Sequence, residues 1–324
     1  MSRRAGGGTL QYMSSDTDST HKPPLAALLV VPVVVAVILT LFAWPTAKVG
    51  PRDVPIGVAG VPPVERQLAA QDGKFDVHRY ASGADARAAI EDREVYGAFV
   101  PGKLLTSSAS SPAISQMLTH AAAESGQPVE IEDVVPATQA GGALAASVLP
   151  MVLAGILTGA FAFVVGGSAL RRTGVLVAGS ALAGLTATLI VQSWLGVVEG
   201  DWLTNAGVLS LTVLAISATV TGLGVLFGRA GAVVAALTMV FIGNPFSAVA
   251  AGPEMLPSPA GAVGQLLPPG AGGNLLRSTG FFDGAAAGQH VAVLAAWVVV
   301  GLGALWLASL RSVRARTPEL VTAS

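Results

Sequence analysis

The chain has 324 residues, of which 52% are hydrophobic and 11% charged, with a formal net charge of −1 and a mean hydropathy of +0.66. A soluble domain carries about 25% charged residues, so this chain has too few to cover a globule of its size with water-compatible surface. Near-neutrality disfavours nucleic acid or an acidic membrane surface as a partner, and the lack of cysteine excludes disulfides, thiolate nucleophiles, iron–sulfur clusters and cysteine zinc sites.

Residues 1–24 are polar, rich in Gly and Ser, carry Arg3, Arg4, His21 and Lys22, and read as a disordered cytoplasmic tail. Residues 25–44 then run without a charge to Trp44. About 20 apolar residues suffice to cross the hydrocarbon core of a bilayer. The rival is a cleaved signal peptide, whose apolar region is shorter and ends at a small-residue cleavage site. Phe42-Ala43-Trp44-Pro45 is a poor one, so an uncleaved anchor is expected.

Residues 45–140 hold most of the charge, eight Lys and Arg against twelve Asp and Glu. Short apolar runs alternate there with helical stretches. Strands are expected at 54–59, 75–80, 95–100 and 129–135, and helices at 63–71, 82–93 and 111–124. Ser82 is placed to cap its helix, with Ala86, Ala89 and Ile90 on one face. This reads as a small α/β domain inserted after the first span.

The remainder is apolar again, with spans expected at 143–170, 174–198, 203–228, 231–251 and 289–310, and a tail at 311–324. The Pro/Gly-rich stretch 252–288 reads as an outside surface loop or a partly re-entrant hairpin, the latter needing protein or water around it. The fold class is therefore an α-helical integral membrane protein of about six transmembrane helices with an inserted α/β domain. Basic residues in short loops set orientation. Arg171 and Arg172, Arg229, and Arg311, Arg314 and Arg316 recur after every even number of crossings, whereas the opposite side offers Glu199, Asp201 and the single Arg277. Both termini are thus expected in the cytoplasm of a multi-pass cell-membrane protein, and 45–140 outside.

Little chemistry is legible. Gly97-Ala98-Phe99-Val100-Pro101-Gly102-Lys103-Leu104 has the spacing of a phosphate-binding loop, but Leu104 stands where a Ser or Thr should hold magnesium. A strand running into a Pro-Gly turn is the better reading. The histidines at 21, 78, 120 and 290 show no ligand spacing, and no nucleophile elbow is present. No catalytic, cofactor-binding or metal-ligating residue is assigned, and no enzyme is expected. Small residues at helical spacing, Gly155/Gly159, Gly224/Gly228 and Ser180/Gly184, are candidates for close helix contacts within the protein or between protomers.

A basic tail, one span, an outside α/β domain and five further spans: this order resembles the permeases of ABC-2 type exporters, in particular the YhgE/Pip-like branch. Asp85-Ala86-Arg87-Ala88-Ala89-Ile90 followed by Val95-Tyr96-Gly97-Ala98-Phe99-Val100-Pro101 is similar to that domain's helix and strand. Asn244-Pro245-Phe246, Glu254-Met255-Leu256-Pro257, Leu267-Pro268-Pro269-Gly270 and Phe282-Asp283-Gly284 are similar to the segment before the last span. The resemblance, over residues 25–311, implies an exporter's membrane subunit working as a homo- or heterodimer with a separate cytoplasmic ATP-binding subunit. Its cargo would be hydrophobic or amphipathic. The chain departs from that pattern where a coupling helix belongs, having little more than Arg171-Arg172-Thr173 between the second and third spans. That departure motivates the alternative of a non-transporting surface protein whose outside domain binds a wall polymer, phage or protein.

Overall fold

The computed structural model describes residues 25–124 and 128–321, so the expected tail at 1–24 lies outside the described residues. The chain divides into two compact units, residues 1–39 and 40–324. Among the described residues, six helices are long and apolar enough to cross a bilayer, as expected of an α-helical membrane protein. The first, α1 (Leu25–Ala47), carries no charge.

After α1 the order is β1 (Val54–Val58), α2 (Pro62–Ala69), β2 (Phe75–Arg79), α3 (Gly83–Glu91), β3 (Gly97–Val100), β4 (Lys103–Thr106), α4 (Pro112–Glu124) and β5 (Glu130–Asp133). The strands form one sheet in the order β2-β1-β3-β4-β5, parallel except for the β3–β4 hairpin. That hairpin turns at Pro101-Gly102 and supplies the one strand, β4, not expected from the sequence. It also disposes of the phosphate-loop resemblance, since no helix follows Gly102 and Lys103 pairs with Glu130 at 3.0 Å. Alternation sorts β1, β3 and β4 onto two faces. Val54, Ile56, Val58 and Leu104 pack with Ile114 and Leu118 on one side; Ala98 and Leu105 pack with Ala86, Ala89 and Ile90 on the other. Ser82 caps α3 as expected: its Oγ accepts from the Asp85 amide at 3.2 Å and donates to the Asp85 carboxylate at 2.8 Å.

The helical part comprises α5 (Leu144–Val165), α6 (Ala169–Thr188), α7 (Trp202–Phe227), α8 (Arg229–Thr238), the single turn α9 (Asn244–Phe246), α10 (Ala260–Gln265), α11 (Pro268–Phe281) and α12 (Ala287–Val321). Both α6 and α8 finish in π-helical turns, Leu189–Trp194 and Met239–Gly243. Two boundaries differ from expectation. The second and third spans meet at residues 166–168, so Arg171 and Arg172 belong to the first turn of α6, capped by Ser168. Helix α12 continues past Leu310 to Val321 where a tail was expected, because a helix needs no apolar sequence to continue once it is nucleated.

The larger correction concerns 252–288: of the two expectations, surface loop or partly re-entrant hairpin, the surface loop fails, because much of the segment is buried helix. Pro268 and Pro269 start α11, and most of that helix, Asn274, Leu275, Leu276, Arg277 and Ser278 included, is buried. Its glycines allow this: a Cβ on Gly272 would collide with Thr212 of α7. Nor is the sheet self-contained. Met255 and Ala251, from the stretch after α9, complete the core on the β1/α4 face. The backbone confirms the join, Gly50 N donating to Met255 O at 2.9 Å and Arg52 N to Glu254 O at 3.0 Å.

Helix α7 is the hub, 72% of its apolar window being buried. Small residues bring its neighbours close. A Cβ on Gly155 of α5 would lie 2.7 Å from Ile216, and one on Gly159 would lie 2.7 Å from Ser217 O. Ser180 of α6 bonds Ser217 at 3.2 Å, Gly184 abuts Ser210, and Thr221 donates to Gly159 O at 2.8 Å. On the remaining side Gly222 faces Gly301 of α12. Two of the three small-residue pairs thus mark contacts within the chain. The third splits: Gly224 packs on Phe163, while Gly228 is the turn before α8 with φ 71. Gly159→Leu is expected to destabilise the detergent-solubilised protein by about 1–3 kcal/mol in thermal unfolding. Gly303→Ala, whose new methyl would meet nothing within 4 Å in the interior of α12, should leave stability unchanged or raise it by up to about 1 kcal/mol.

Candidate functional site

Where the sheet meets α10, α11 and the start of α12, polar side chains converge around a cavity of about 600 Å³. It is lined by Arg93 and Tyr96 from the α3–β3 connection, Glu254, Gln265 of α10, Asn274 of α11 and His290 of α12. Arg93 reaches its place because it holds a left-handed backbone, φ 62, just after α3. From there its Nη1 donates to Asn274 O at 3.2 Å and to Ser278 Oγ, while the guanidinium lies over the Phe282 ring at 5.3 Å. The Tyr96 hydroxyl donates to Glu254 Oε2 at 2.7 Å. Gly252 makes that approach possible. Its φ is +92, and a Cβ there would sit 3.0 Å from the Tyr96 hydroxyl and 3.3 Å from Ile114.

Behind the wall lies Arg277, 3% exposed. Its Nη1 donates to Asn274 Oδ1 at 2.8 Å and Nη2 donates to Val249 O, but Nε has no partner. Asn274 in turn donates to Gln265 Oε1 at 2.7 Å, and Gln265 to Ser247 O at 2.9 Å. A second polar knot ties the same helix to α7: Thr279 donates to Asn205 Oδ1 at 2.6 Å, and Asn205 donates to Gln192 at 2.9 Å and Glu199 O at 2.6 Å. Apart from Arg277 Nε, these linked buried polar groups hold one geometry, because any rearrangement strands donors in a poorly solvated place.

Burial, and after it the Glu254 carboxylate, hold the Tyr96 hydroxyl protonated above its ordinary range. Burial also pulls the Arg93 guanidinium below its usual value. Neither Arg93 nor Arg277 forms an ion pair with a carboxylate among the described residues. Glu254 is the carboxylate whose field reaches Arg93.

Comparison of the chain with protein-family models, with curated proteins and with solved structures finds no match. The site therefore stands on its own geometry.

The residues weighed from the sequence fare differently. His78 bonds Asp76 at 3.0 Å on the exposed face of β2, and His120 is exposed. Of the histidines in the described residues, His290 alone lines this cavity, with a buried Nδ1 that has no partner. Among those residues no group of three or more His, Asp or Glu has metal-binding proximity. Arg93, Tyr96, Glu254 and Arg277 were not singled out as a site. One signal was present: Arg277 is the lone basic residue in a weakly polar stretch, and an ionisable group in such a setting is a functional candidate.

Tyr96→Phe is expected to lower stability by about 1–3 kcal/mol at neutral pH, since Glu254 loses its donor. The phenol's contribution is fully present below the ordinary tyrosine value of about 10 and declines as pH climbs toward the folded one. Unfolding midpoints measured from pH 8 to 11 should therefore fall more steeply for the native chain than for Tyr96→Phe.

Proposed function

We propose that the chain is the membrane subunit of an ABC-2 type exporter, moving a hydrophobic or amphipathic compound with energy from a separate cytoplasmic ATP-binding subunit. The supporting observation is the shared core: the sheet is closed by Met255 and tied through Arg93 and Tyr96 to the segment between the fifth and sixth spans. A sheet merely carried by an anchor has no need to build its core from the helical part. In a transporter, that union makes any tilt of the helices a movement of the sheet. An apolar groove of about 640 Å³ between α5 and α6, lined by Ala146, Pro150, Met151, Leu182, Ala183 and Ile190, suits an apolar cargo.

The orientation in this reading puts the sheet outside the cell membrane and both termini in the cytoplasm. Arg171, Arg172 and Arg229 then lie at the cytoplasmic ends of α6 and α8. The second reading, a non-transporting surface protein, is favoured by one feature: only residues 166–168 separate α5 from α6, which leaves no coupling helix for an ATPase.

Because the chain has no cysteine, single cysteines report topology directly. Asp76→Cys on β2 should react with a membrane-impermeant maleimide in intact cells, and Ala230→Cys at the start of α8 only after permeabilisation. The reverse pattern removes the orientation. Gentle purification should bring down an ATP-binding subunit, and the pair in vesicles should extrude a lipophilic dye on ATP addition. Failure of both steps leaves the surface-protein reading.

A further inference from the structure

We infer that the cavity between the sheet and α10–α12 is a binding site for an oxyanion, a phosphate or carboxylate group, held by Arg93. The inference concerns binding alone and does not rest on the transport reading.

Charge balance carries it. The cavity wall presents Arg93, and Arg277 sits immediately behind, bonded to the same Asn274 that accepts from Arg93. Facing these two permanent cations is one carboxylate, Glu254, which already accepts from Tyr96 and forms no ion pair with either arginine. A buried charge without a counter-ion is costly, and a second anion in the space that Arg93 lines, with Arg277 behind it, would offset that cost. Donors are waiting as well. His290 Nδ1, on the cavity wall, is buried and without a partner among the described residues, and in its Nδ1–H tautomer it is a free donor. Gln289 adds an amide to the wall, the amide nitrogens of Gln265 and Asn274 being held by Ser247 O, Gln265 Oε1 and Gly270 O. A guanidinium beside neutral amide donors is the usual equipment for a planar or tetrahedral oxyanion. The volume, about 600 Å³, exceeds what a bare phosphate fills. The rest of the space, walled by Pro253, Ala262 and Leu266, suits an attached uncharged or apolar body. Such an oxyanion has two sources, the headgroup of an anionic lipid or a water-soluble anion, and the chemistry at Arg93 is shared between them.

Glu254 makes the inference testable in two directions. It neutralises part of the positive field, so removing its charge should strengthen anion binding, whereas a purely structural Glu254 would only weaken the protein. The full chain, purified in a neutral maltoside detergent, is titrated by calorimetry with inorganic phosphate, with short-chain phosphatidylglycerol, and with short-chain phosphatidylcholine as a control. Saturable binding of one or both anions, absent for phosphatidylcholine, is expected. Arg93→Gln should weaken it by about tenfold or more, and Glu254→Gln, which keeps an acceptor for Tyr96, should tighten it several-fold. Binding of phosphatidylglycerol without phosphate assigns the site to a lipid headgroup; binding of phosphate assigns it to a soluble anion. If Arg93→Gln does not fold, the Glu254→Gln titration decides by itself. The inference is overturned if neither anion binds, if phosphatidylcholine binds as well as they do, or if Glu254→Gln leaves affinity unchanged or lower.

Discussion

Everything in the helical part depends on how closely α7 can be approached. Lipid chains are as apolar as leucine, so no hydrophobic drive pulls one span against another; association comes from dispersion at short range and from interhelical hydrogen bonds of about 0.6 kcal/mol each. Both need small residues at the crossing. Gly155 and Gly159 on α5, Ser180 and Gly184 on α6 and Gly301 on α12 provide them on three sides of α7. A single larger side chain at one of these crossings pushes two backbones apart and forfeits the contacts along the whole interface. With α7 held so, its start is a fixed post, capped where Asp201 accepts from the Thr204 amide at 2.7 Å.

From that post the order propagates outward through polar contacts as well as the apolar packing of α7 on α11. Asn205 holds Thr279 on α11; on the same helix, Asn274 and Ser278 hold Arg93 from the sheet; and Glu254, in the same connecting segment, holds Tyr96. Apolar packing alone would let the sheet slide on the helix ends, since dispersion is nearly indifferent to direction. Directional bonds from Arg93 and Tyr96 set one register, and Met255 seals it by entering the sheet's own core. The sheet and the helical part beyond Leu39 belong to one compact unit for this reason. The groove between α5 and α6 shares no lining residue with this join and is lined by apolar side chains with Ser147 and Thr186.

Hydropathy made the helices legible, and alternation most of the strands. Ser82 as a cap and the Gly155 and Ser180 pairs were legible too, because each depends on neighbours within a few residues or on one helix face. β4 was missed for a local reason: Lys103-Leu104-Leu105-Thr106 is too short to show a period, and its partner β3 was taken as ending in a turn. The segment 252–288 misled for a different one. Gly and Pro mark turns, yet glycine also lets a helix lie against another backbone, and composition cannot separate the two uses. The cavity was the least legible feature, since Arg93, Glu254, Asn274 and His290 lie far apart in sequence and none carries a motif.

What the sequence determined by itself is the partition of the chain between hydrocarbon and polar surroundings, together with the elements that partition implies. Transfer free energy is a sum over local side chains, so a run such as Leu25–Trp44 declares its environment without reference to anything else. Only the tertiary structure decided that α7 is the hub, that α11 is buried, and that Arg93 and Glu254 line one cavity with Arg277 behind its wall. Those facts concern pairs of residues up to 185 positions apart, as with Arg93 and Ser278. An unpaired charge is a property of what surrounds it, and only folding assembles the surroundings.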